Sequence, residues 1–189
     1  MADSNIVVFG LSNVHIGTYE VAADGTVTMG TPEAVNGAVN LTLESDAEEN
    51  TFHADNIKYW TNYTDNGFTG SLEMARFPDA VKTAFFGYET LDDGGLAKIK
   101  GVQNPKVYIM FQSEGDAQHR RAIMYNVAMG PIQREYATIE DTIEPATETV
   151  DLTVTGDNAT GIVMAEYNED ATGYATLFTA PPAPTLPSA

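Results

Sequence analysis

Alternation of apolar and polar residues is the strongest regularity along this chain. In residues 39–44 and 149–154, Val or Leu occupies every second position, and Asn, Thr, Asp or Glu occupies the positions between. Successive side chains of a strand point to opposite faces, so this spacing predicts half-buried antiparallel strands. The same parity rule places further residues in the predicted core, namely Phe68, Leu72 and Met74, and then Ile123, Tyr125 and Val127.

Residues 107–111 differ from these strands because they are apolar at every position. A strand that is apolar on both parities is typical of the centre of a sheet whose two faces are covered. Turn-forming residues separate the predicted strands at a spacing that is typical of hairpins. They are Asp24-Gly25, Asn66-Gly67, Asp93-Gly94-Gly95, Gly115-Asp116 and Gly156-Asp157-Asn158.

One segment follows a helical period. In residues 78–86 a proline stands first, where it suits a first helical position, and Val81, Ala84 and Phe85 recur at steps of three or four residues. Gly87 follows as a helix terminator. So short a helix is not stable alone and must pack on a sheet. The predicted fold is therefore mainly β, an antiparallel β-sandwich or barrel with one short helix.

At 189 residues the chain has the length of one domain, and a hydrophobic content of 43% supports a folded core. Four of its nine prolines lie in residues 180–189, which cannot form a central strand. We expect a single β domain over residues 1–179, followed by a proline-rich, flexible C-terminal tail. A frayed terminus and a docking arm both remain open as interpretations of that tail.

Acidic residues dominate the charge, with 27 Asp and Glu against 9 Lys and Arg and a net charge of −18. The net charge is −9 in residues 1–57, +1 in residues 58–134 and −10 in residues 135–189. All basic residues lie in the middle segment, which predicts two acidic flanks around a nearly neutral centre. Tight binding to DNA is excluded, because it requires Lys and Arg against phosphates. General solubility explains the charge equally well.

Motifs for catalysis and metal binding are missing. His15, His53 and His119 show no metal-ligand spacing, and the pair His53 and Asp55 lacks a third ligand. The acidic residues 44–50 lack the glycine of a calcium loop, and we expect a solvated loop there. No Cys, serine nucleophile elbow or phosphate loop is present. We expect no catalytic, cofactor-binding or metal site, and no enzyme.

The N-terminal residues lack the basic start and apolar run of a signal peptide, and no apolar stretch is long enough to span a membrane. We expect a protein that is made in the cytoplasm and stays soluble. Aromatic residues cluster in the polar stretch 44–66, where Tyr59 and Tyr63 share one strand parity and Trp60 has the other. They suit either a sugar platform or a mixture of core and interface anchors, and we favour the second interpretation.

A series of short fragments follows in order through residues 7–130. They are Phe9-Gly10-Leu11 with Val14, Thr31-Pro32 to Gly37, Phe52-His53-Ala54-Asp55-Asn56 with Tyr59, Gly67-Phe68-Thr69-Gly70 with Leu72 and Glu73, Phe77-Pro78-Asp79, Gly87, Pro105-Lys106, and Gly115-Asp116 leading to His119-Arg120-Arg121 with Tyr125. In their order and spacing these fragments resemble the phi13-type major tail protein family, the tube-forming subunits of long, noncontractile phage tails. Residues after 135 carry little of the resemblance.

The resemblance implies a tail-tube-like fold whose subunits form hexameric rings, stacked into a hollow tube for DNA. It implies a virion component made in the host cytoplasm, with other tail proteins such as the tape measure and tail terminator as partners and no membrane. Viral DNA would pass without specific binding, which suits an acidic lumen that repels phosphates. Two alternatives remain open, a secretion-type tube subunit and a monomeric β-sandwich that binds a ligand or carbohydrate.

Rings that close and stack need contact surfaces. Sheet edges are the candidates for head-to-tail contacts within a ring, and residues 44–66 are the candidate for contacts between rings. We hypothesise that Phe52, Tyr59 and Trp60 anchor this stretch against a neighbouring ring. The full set of candidate contact residues is Phe52, Asp55, Tyr59, Trp60, Tyr63, Arg120 and Arg121.

Overall fold

The structure, a computed structural model, describes residues 10–115, 118–136, 138 and 145–186. These residues contain twelve strands and one helix. In chain order they are β1 (Leu11–Val21), β2 (Val27–Met29), β3 (Glu33–Ala34), β4 (Ala38–Ala54), β5 (Ile57–Met74), α1 (Asp79–Phe85), β6 (Tyr88–Thr90), β7 (Leu96–Lys98), β8 (Val107–Ser113), β9 (Arg121–Met129), β10 (Gln133–Arg134), β11 (Glu148–Val154) and β12 (Met164–Tyr167).

Ten strands form one antiparallel sheet in the order β2-β1-β8-β9-β11-β5-β4, with β3 added to β1, β10 to β11 and β12 to β9. β6 and β7 form a separate hairpin. One edge of β9 pairs with β12 at its start and with β11 at its end, so the sheet divides there. The predicted fold class is confirmed, since the described chain is mainly β, antiparallel and sandwich-like, with one short helix.

β8 lies between two hydrophobic cores. Val107 and Ile109 pack into the core that α1 covers, and Tyr108 and Met110 pack into a smaller core on the other face. This confirms the predicted double coverage of residues 107–111. The core positions predicted on the neighbouring strands are buried as well, except Phe68, which is half-buried; the buried ones are Leu72, Met74, Ile123, Tyr125, Val127, Val150, Leu152 and Val154. Parity fails within β9, because Asn126 has a left-handed φ of 52° and Val127 lies in the core opposite that of Ile123 and Tyr125.

The start and the buried face of α1 correct two predictions. Pro78 is the N-cap of the helix, one position before its predicted place. The buried face contains Val81 and Phe85 as predicted, but it continues through Lys82, whereas Ala84 is exposed. Lys82 is buried because its partner lies in β11, and a local periodicity cannot show so distant a partner.

That partner, Glu148, joins the helix to the sheet. Its carboxylate accepts a hydrogen bond from the Phe77 backbone N–H at 2.7 Å and forms ion pairs with Lys82 at 2.9 Å and Arg134 at 2.8 Å. Burial alone would raise the pKa of Glu148, but the Phe77 hydrogen bond and the two cations outweigh it and hold that pKa below its usual range. Glu148 therefore fixes α1 against β11 as a carboxylate.

The turn of the long β4–β5 hairpin lies at Asp55-Asn56. Both residues have left-handed φ values, 50° and 62°, which Asp and Asn tolerate better than most residues. The turn predicted at Asn66-Gly67 is wrong, because both residues lie within β5. Gly67 is needed there for a close approach, since a Cβ would meet the carbonyl oxygen of Val154 at 2.1 Å.

Two further predictions about β4 need correction. The acidic run 44–50, predicted as a solvated loop, is solvent-exposed but belongs to the strand. Val39 is 52% exposed and does not share the buried face with Leu41. The register between β4 and β5 shifts between Ala38 and Asn40, so Val39 is an extra residue in a β-bulge.

Three of the remaining predicted turns follow or connect strands, and the fourth lies partly outside the described residues. Asp24-Gly25 connects β1 to β2, Asp93-Gly94-Gly95 connects β6 to β7, and Gly156-Asp157-Asn158 follows β11. Asp116 lies outside the described residues. In the proline-rich segment, Tyr125 donates a hydrogen bond to the Pro182 carbonyl at 3.1 Å. Residues 187–189 are not described, and both the domain boundary at 179 and the flexible tail stay predictions.

Candidate assembly surfaces

β4 and β5 continue past the rest of the sheet as a two-stranded ribbon of residues 45–66, which we call the arm. β11, the other neighbour of β5, ends at Val154, which pairs with Phe68. Beyond that row every arm residue is exposed except Thr51 and Ala54, which are half-buried. Each strand of the arm has ten residues, so at about 3.4 Å per residue the arm is roughly 34 Å long. Neither of its faces is covered by the described chain.

The arm carries five exposed large hydrophobic side chains. Their exposed fractions are 59% for Phe52, 60% for Ile57, 70% for Tyr59, 52% for Trp60 and 65% for Tyr63. A two-stranded hairpin alone is marginally stable in water, and a contiguous exposed apolar patch is typical of an interaction site. The aromatic residues have the exposure of interface anchors, and the predicted mixture with core residues is wrong because none of them lies in the core.

The register divides the arm into two faces. Phe52 pairs with Trp60, and we call their side of the ribbon the Trp60 face, formed by Glu48, Asn50, Phe52, Trp60, Asn62 and Thr64. Glu49 pairs with Tyr63 and Ala47 with Asp65, and we call the other side the Tyr63 face, formed by Ala47, Glu49, Thr51, His53, Lys58, Thr61, Tyr63 and Asp65. Tyr59 lies at the register shift next to the turn. The large aromatic side chains of Trp60 and Tyr63 therefore point to opposite sides.

Each face has a net charge of −1, from Glu48 on the Trp60 face and from Glu49, Asp65 and Lys58 on the Tyr63 face, so the faces differ in whether they hold a cation. On the Tyr63 face, Lys58 Nζ lies 2.5 Å from Glu49 Oε1. This hydrogen bond lowers the pKa of Glu49 and raises that of Lys58. On the Trp60 face, Glu48 forms no ion pair with any described residue. Lys58 is the only Lys or Arg in the arm, against Asp46, Glu48, Glu49, Asp55 and Asp65, so the arm has a net charge of −4.

The predicted contact residues outside the arm lie at and before the start of β9. Arg121 is half-buried, and its guanidinium donates hydrogen bonds to Gln112 at 3.0 Å and to the Tyr174 carbonyl at 2.6 Å. It also lies 4.0 Å from the centroid of the Tyr174 ring and 4.6 Å from that of Phe178. Arg120 is exposed and lies 3.7 Å from Glu166. The five predicted contact residues of residues 45–66 therefore all lie in the arm. The side chain of Arg121, in contrast, makes its contacts with residues of its own subunit.

A second surface, which sequence reasoning missed, is an open groove of about 570 Å³. We call it the basic groove. It is lined by residues 98–104, Lys106 and the end of β9 through Pro131. Its described lining holds three Lys and no acidic residue. The available signal was local, because residues 98–106 contain three of the nine basic residues of the chain and no acid.

The lysines of the basic groove are not equivalent. Lys98 donates a hydrogen bond to the Phe86 carbonyl and lies 5.2 Å from the centroid of the Tyr88 ring. Lys100 and Lys106 are exposed and form no ion pair within the described part of the chain. Two positive charges of the groove are therefore available to a partner.

The arm and the basic groove extend in opposite directions from one row of the sheet. In that row Val154 of β11 pairs with Val127 of β9 on one side and with Phe68 of β5 on the other. From Phe68 the arm runs past the end of β11. From Val127, β9 runs the opposite way to Met129, which pairs with Leu152, and then into the groove.

β4 is the last strand of the sheet, so its outer edge has no neighbouring strand among the described elements. That edge is acidic, with Glu44, Asp46, Glu48 and Glu49 along it. Like charges oppose the pairing of two such edges with each other. The edge is therefore suited to a different surface of a second copy, which is a heterologous contact.

Within the described residues, no group of three or more His, Asp and Glu side chains is placed to hold a metal ion. His53 and Asp55, considered as a pair from their spacing, do not share a strand face, because Asp55 lies in the turn of the arm. No helix in this part of the chain has the length and hydropathy needed to cross a membrane.

No protein-family model and no curated protein sequence matches this chain. Among solved structures, it is similar to a chain of the cryo-EM structure of the anti-feeding prophage baseplate, 6-fold symmetrised. The TM-score is 0.35 and the identity 8%, over 88% of this chain and 100% of that chain. A similarity this low carries no argument about function, so we base the proposed function on the surfaces of the chain itself.

Proposed function

We propose that this chain is a non-enzymatic structural subunit of the tail tube of a long, noncontractile-tailed phage. In this proposal six subunits form a ring and stacked rings form an acidic channel for DNA, in a virion that also contains tape measure and tail terminator proteins. The single observation that carries the proposal is the arm. It is a two-stranded ribbon of roughly 34 Å, with large hydrophobic side chains on both faces and no covering element in the described chain.

A ribbon with this composition supports a role in assembly. The exposed fractions of its five large hydrophobic side chains lie between 52% and 70%, and burial of apolar area is stabilising by about 25 cal/mol per Å². A single flat ligand, such as a sugar ring, covers one face only. Trp60 and Tyr63 point to opposite faces, which favours neighbouring subunits on both sides over a carbohydrate platform.

The open edge of β4 supports ring formation. A ring requires one surface of each subunit to meet a different surface of the next, and the acidic edge disfavours pairing with a copy of itself. The negative net charge of the chain supports a channel through which DNA passes. A net charge of −18 repels phosphates, so that DNA passes along such a surface without being held.

The experiment is a concentration series of the purified protein, examined by size-exclusion chromatography with light scattering and by negative-stain microscopy. We expect hexameric rings and tubes that become more abundant as the concentration rises. A protein that stays monomeric at every concentration up to the millimolar range contradicts the proposal. If that monomer is also stabilised against heat by a sugar or another small ligand, the ligand-binding alternative is favoured.

A second measurement separates the two kinds of tube. Mass spectrometry of purified particles should detect peptides of this chain in particles that contain DNA. Peptides found only in secreted particles without DNA would favour the secretion-type tube.

A further inference from the structure

We propose that the Trp60 face of the arm of one copy docks into the basic groove of the next copy along the tube. The inference rests on the proposed function, because it assigns the contact between stacked rings to two particular surfaces. The occupant of the groove is thus a second copy of this chain.

Charge complementarity is the first argument. The arm has a net charge of −4, and Glu48 on its Trp60 face has no cationic partner among the described residues. The basic groove offers Lys100 and Lys106, which form no ion pair within the described chain, and none of its described lining residues is acidic. Complementary charges at an interface steer association and fix its register.

Apolar complementarity is the second argument. Phe52 and Trp60, a cross-strand pair, are 59% and 52% exposed. The groove contains Val102, which is 46% exposed, together with Ile99 and Pro131. Its volume of about 570 Å³ lies within the range of about 300 to 1,000 Å³ for sites that hold groups of this size.

The Trp60 face fits the groove better than the Tyr63 face does. The Tyr63 face has the same net charge through Glu49, Asp65 and Lys58, but Lys58, which pairs with Glu49 at 2.5 Å, would meet Lys100 and Lys106 as a like charge. The Trp60 face presents its aromatic pair with an uncompensated carboxylate.

Direction is the third argument, and it identifies the occupant. The arm and the groove extend oppositely from the row of Phe68, Val154 and Val127, so the arm tip points away from the groove of its own chain. A contact of this kind joins different copies head to tail and repeats without limit along one axis.

Cross-linking tests the contact directly, because the chain has no Cys that would give a background. Asn62→Cys places a thiol on the Trp60 face and Gln103→Cys places one in the basic groove. When the two single variants are mixed under assembly conditions with a short bismaleimide, we expect a cross-linked dimer between them. The double variant should give a ladder of higher multimers.

The matched control combines Asn62→Cys with Thr172→Cys, an exposed position after β12. This pair should give less than a tenth of the cross-linked product. Efficient dimers of Asn62→Cys alone would show that arms contact each other, and equal yields for the control pair would show random collision. Either result overturns the inference.

Charge reversal gives an independent test in the assembled protein. Glu48→Lys alone, or Lys100→Glu with Lys106→Glu, should raise the concentration at which rings stack at least tenfold, and the triple variant should restore stacking. Lys100→Arg with Lys106→Arg should stack normally, as should Glu169→Lys, which makes the same charge change on an exposed loop.

These outcomes separate the inference from the proposed function. Normal tubes from the charge-reversed groove variant would overturn the inference while leaving the tube subunit intact. Failure of the wild-type protein to form any ring or tube would overturn the proposed function itself.

Discussion

Replacement of Trp60 by alanine should weaken assembly and leave the folded subunit almost unchanged. Trp60 lies in the arm, 52% exposed, and its cross-strand partner is Phe52. Cross-strand pairs contribute about 0.2 to 1 kcal/mol. We therefore expect the free energy of unfolding to fall by no more than about 1 kcal/mol.

The effect on association follows from the area that remains exposed. A tryptophan side chain buries up to about 250 Å², so at 52% exposure about 130 Å² is left for a neighbouring subunit to cover. At about 25 cal/mol per Å² this area contributes roughly 3 kcal/mol. Ordering of the side chain at the contact costs about 1 kcal/mol. The remaining 2 kcal/mol corresponds to a roughly thirtyfold weaker contact.

The assay compares the concentration at which light scattering begins to rise in the wild type and in Trp60→Ala, with urea unfolding followed by circular dichroism. Trp60 is the only tryptophan, so in the wild type its emission should shift to the blue as the arm becomes buried. Trp60→Phe should lose only part of the affinity. Leu91→Ala, at a 48% exposed residue in the β6–β7 turn, is the matched control and should assemble normally.

Two results would refute this reasoning. An onset concentration within twofold of the wild type would show that Trp60 is not covered by a neighbour. A loss of more than about 2 kcal/mol in unfolding free energy would show that Trp60 packs within its own subunit, and that the arm is not the free ribbon described above.

Three further predictions concern charge. Glu148→Gln should lower the free energy of unfolding in urea by about 3 to 5 kcal/mol, because it leaves Lys82 buried at 2% exposure without its carboxylate. Lys82→Met combined with Glu148→Gln should recover part of the loss. If the losses of the two single variants simply added in the double variant, the pairing would be contradicted. The pKa values of Glu148 and Asp157 lie below their ordinary values in the folded protein. Both groups therefore stabilise the fold at neutral pH and lose that contribution as the pH falls through the lowered pKa values. The melting temperature should fall between about pH 7 and pH 3, and it should fall less steeply in Glu148→Gln. Raising the salt from about 0.01 to 0.15 M shortens the Debye length from about 30 to 8 Å, so subunits of net charge −18 should assemble at lower concentration, and an onset independent of salt would contradict an acidic channel.

The part of the fold that follows from local patterns could be predicted from the sequence. Val150, Leu152 and Val154 alternate because one face of β11 is buried, and residues 107–111 are apolar throughout because β8 has a core on each face. In both cases the pattern of apolar residues within the strand itself indicates which of its faces are buried. Burial of Lys82 was not predictable in this way, since the reason for it is Glu148 in a strand 66 residues later.

The arm shows why the rest was missed. Neither of its faces packs on the domain, so residues 45–66 have no apolar alternation to fix their register, and Asn66-Gly67 was the stronger turn signal of the two. The turn at Asp55-Asn56 depends on two left-handed residues, which Asp and Asn signal only weakly. The aromatic cluster was nevertheless visible as a contact surface. The basic groove was not, because it joins residues 98–106, which precede β8, to the end of β9 and Pro131.

The opposite directions of the arm and the basic groove give any assembly built on them a polarity. One terminal ring would present only unoccupied arms and the other only unoccupied grooves, so the two ends would be chemically different surfaces. A nucleating complex with a pocket for arms would start growth in one direction only. A terminating protein could stop growth by carrying a single arm-like ribbon for the grooves, without recognising any other part of the subunit.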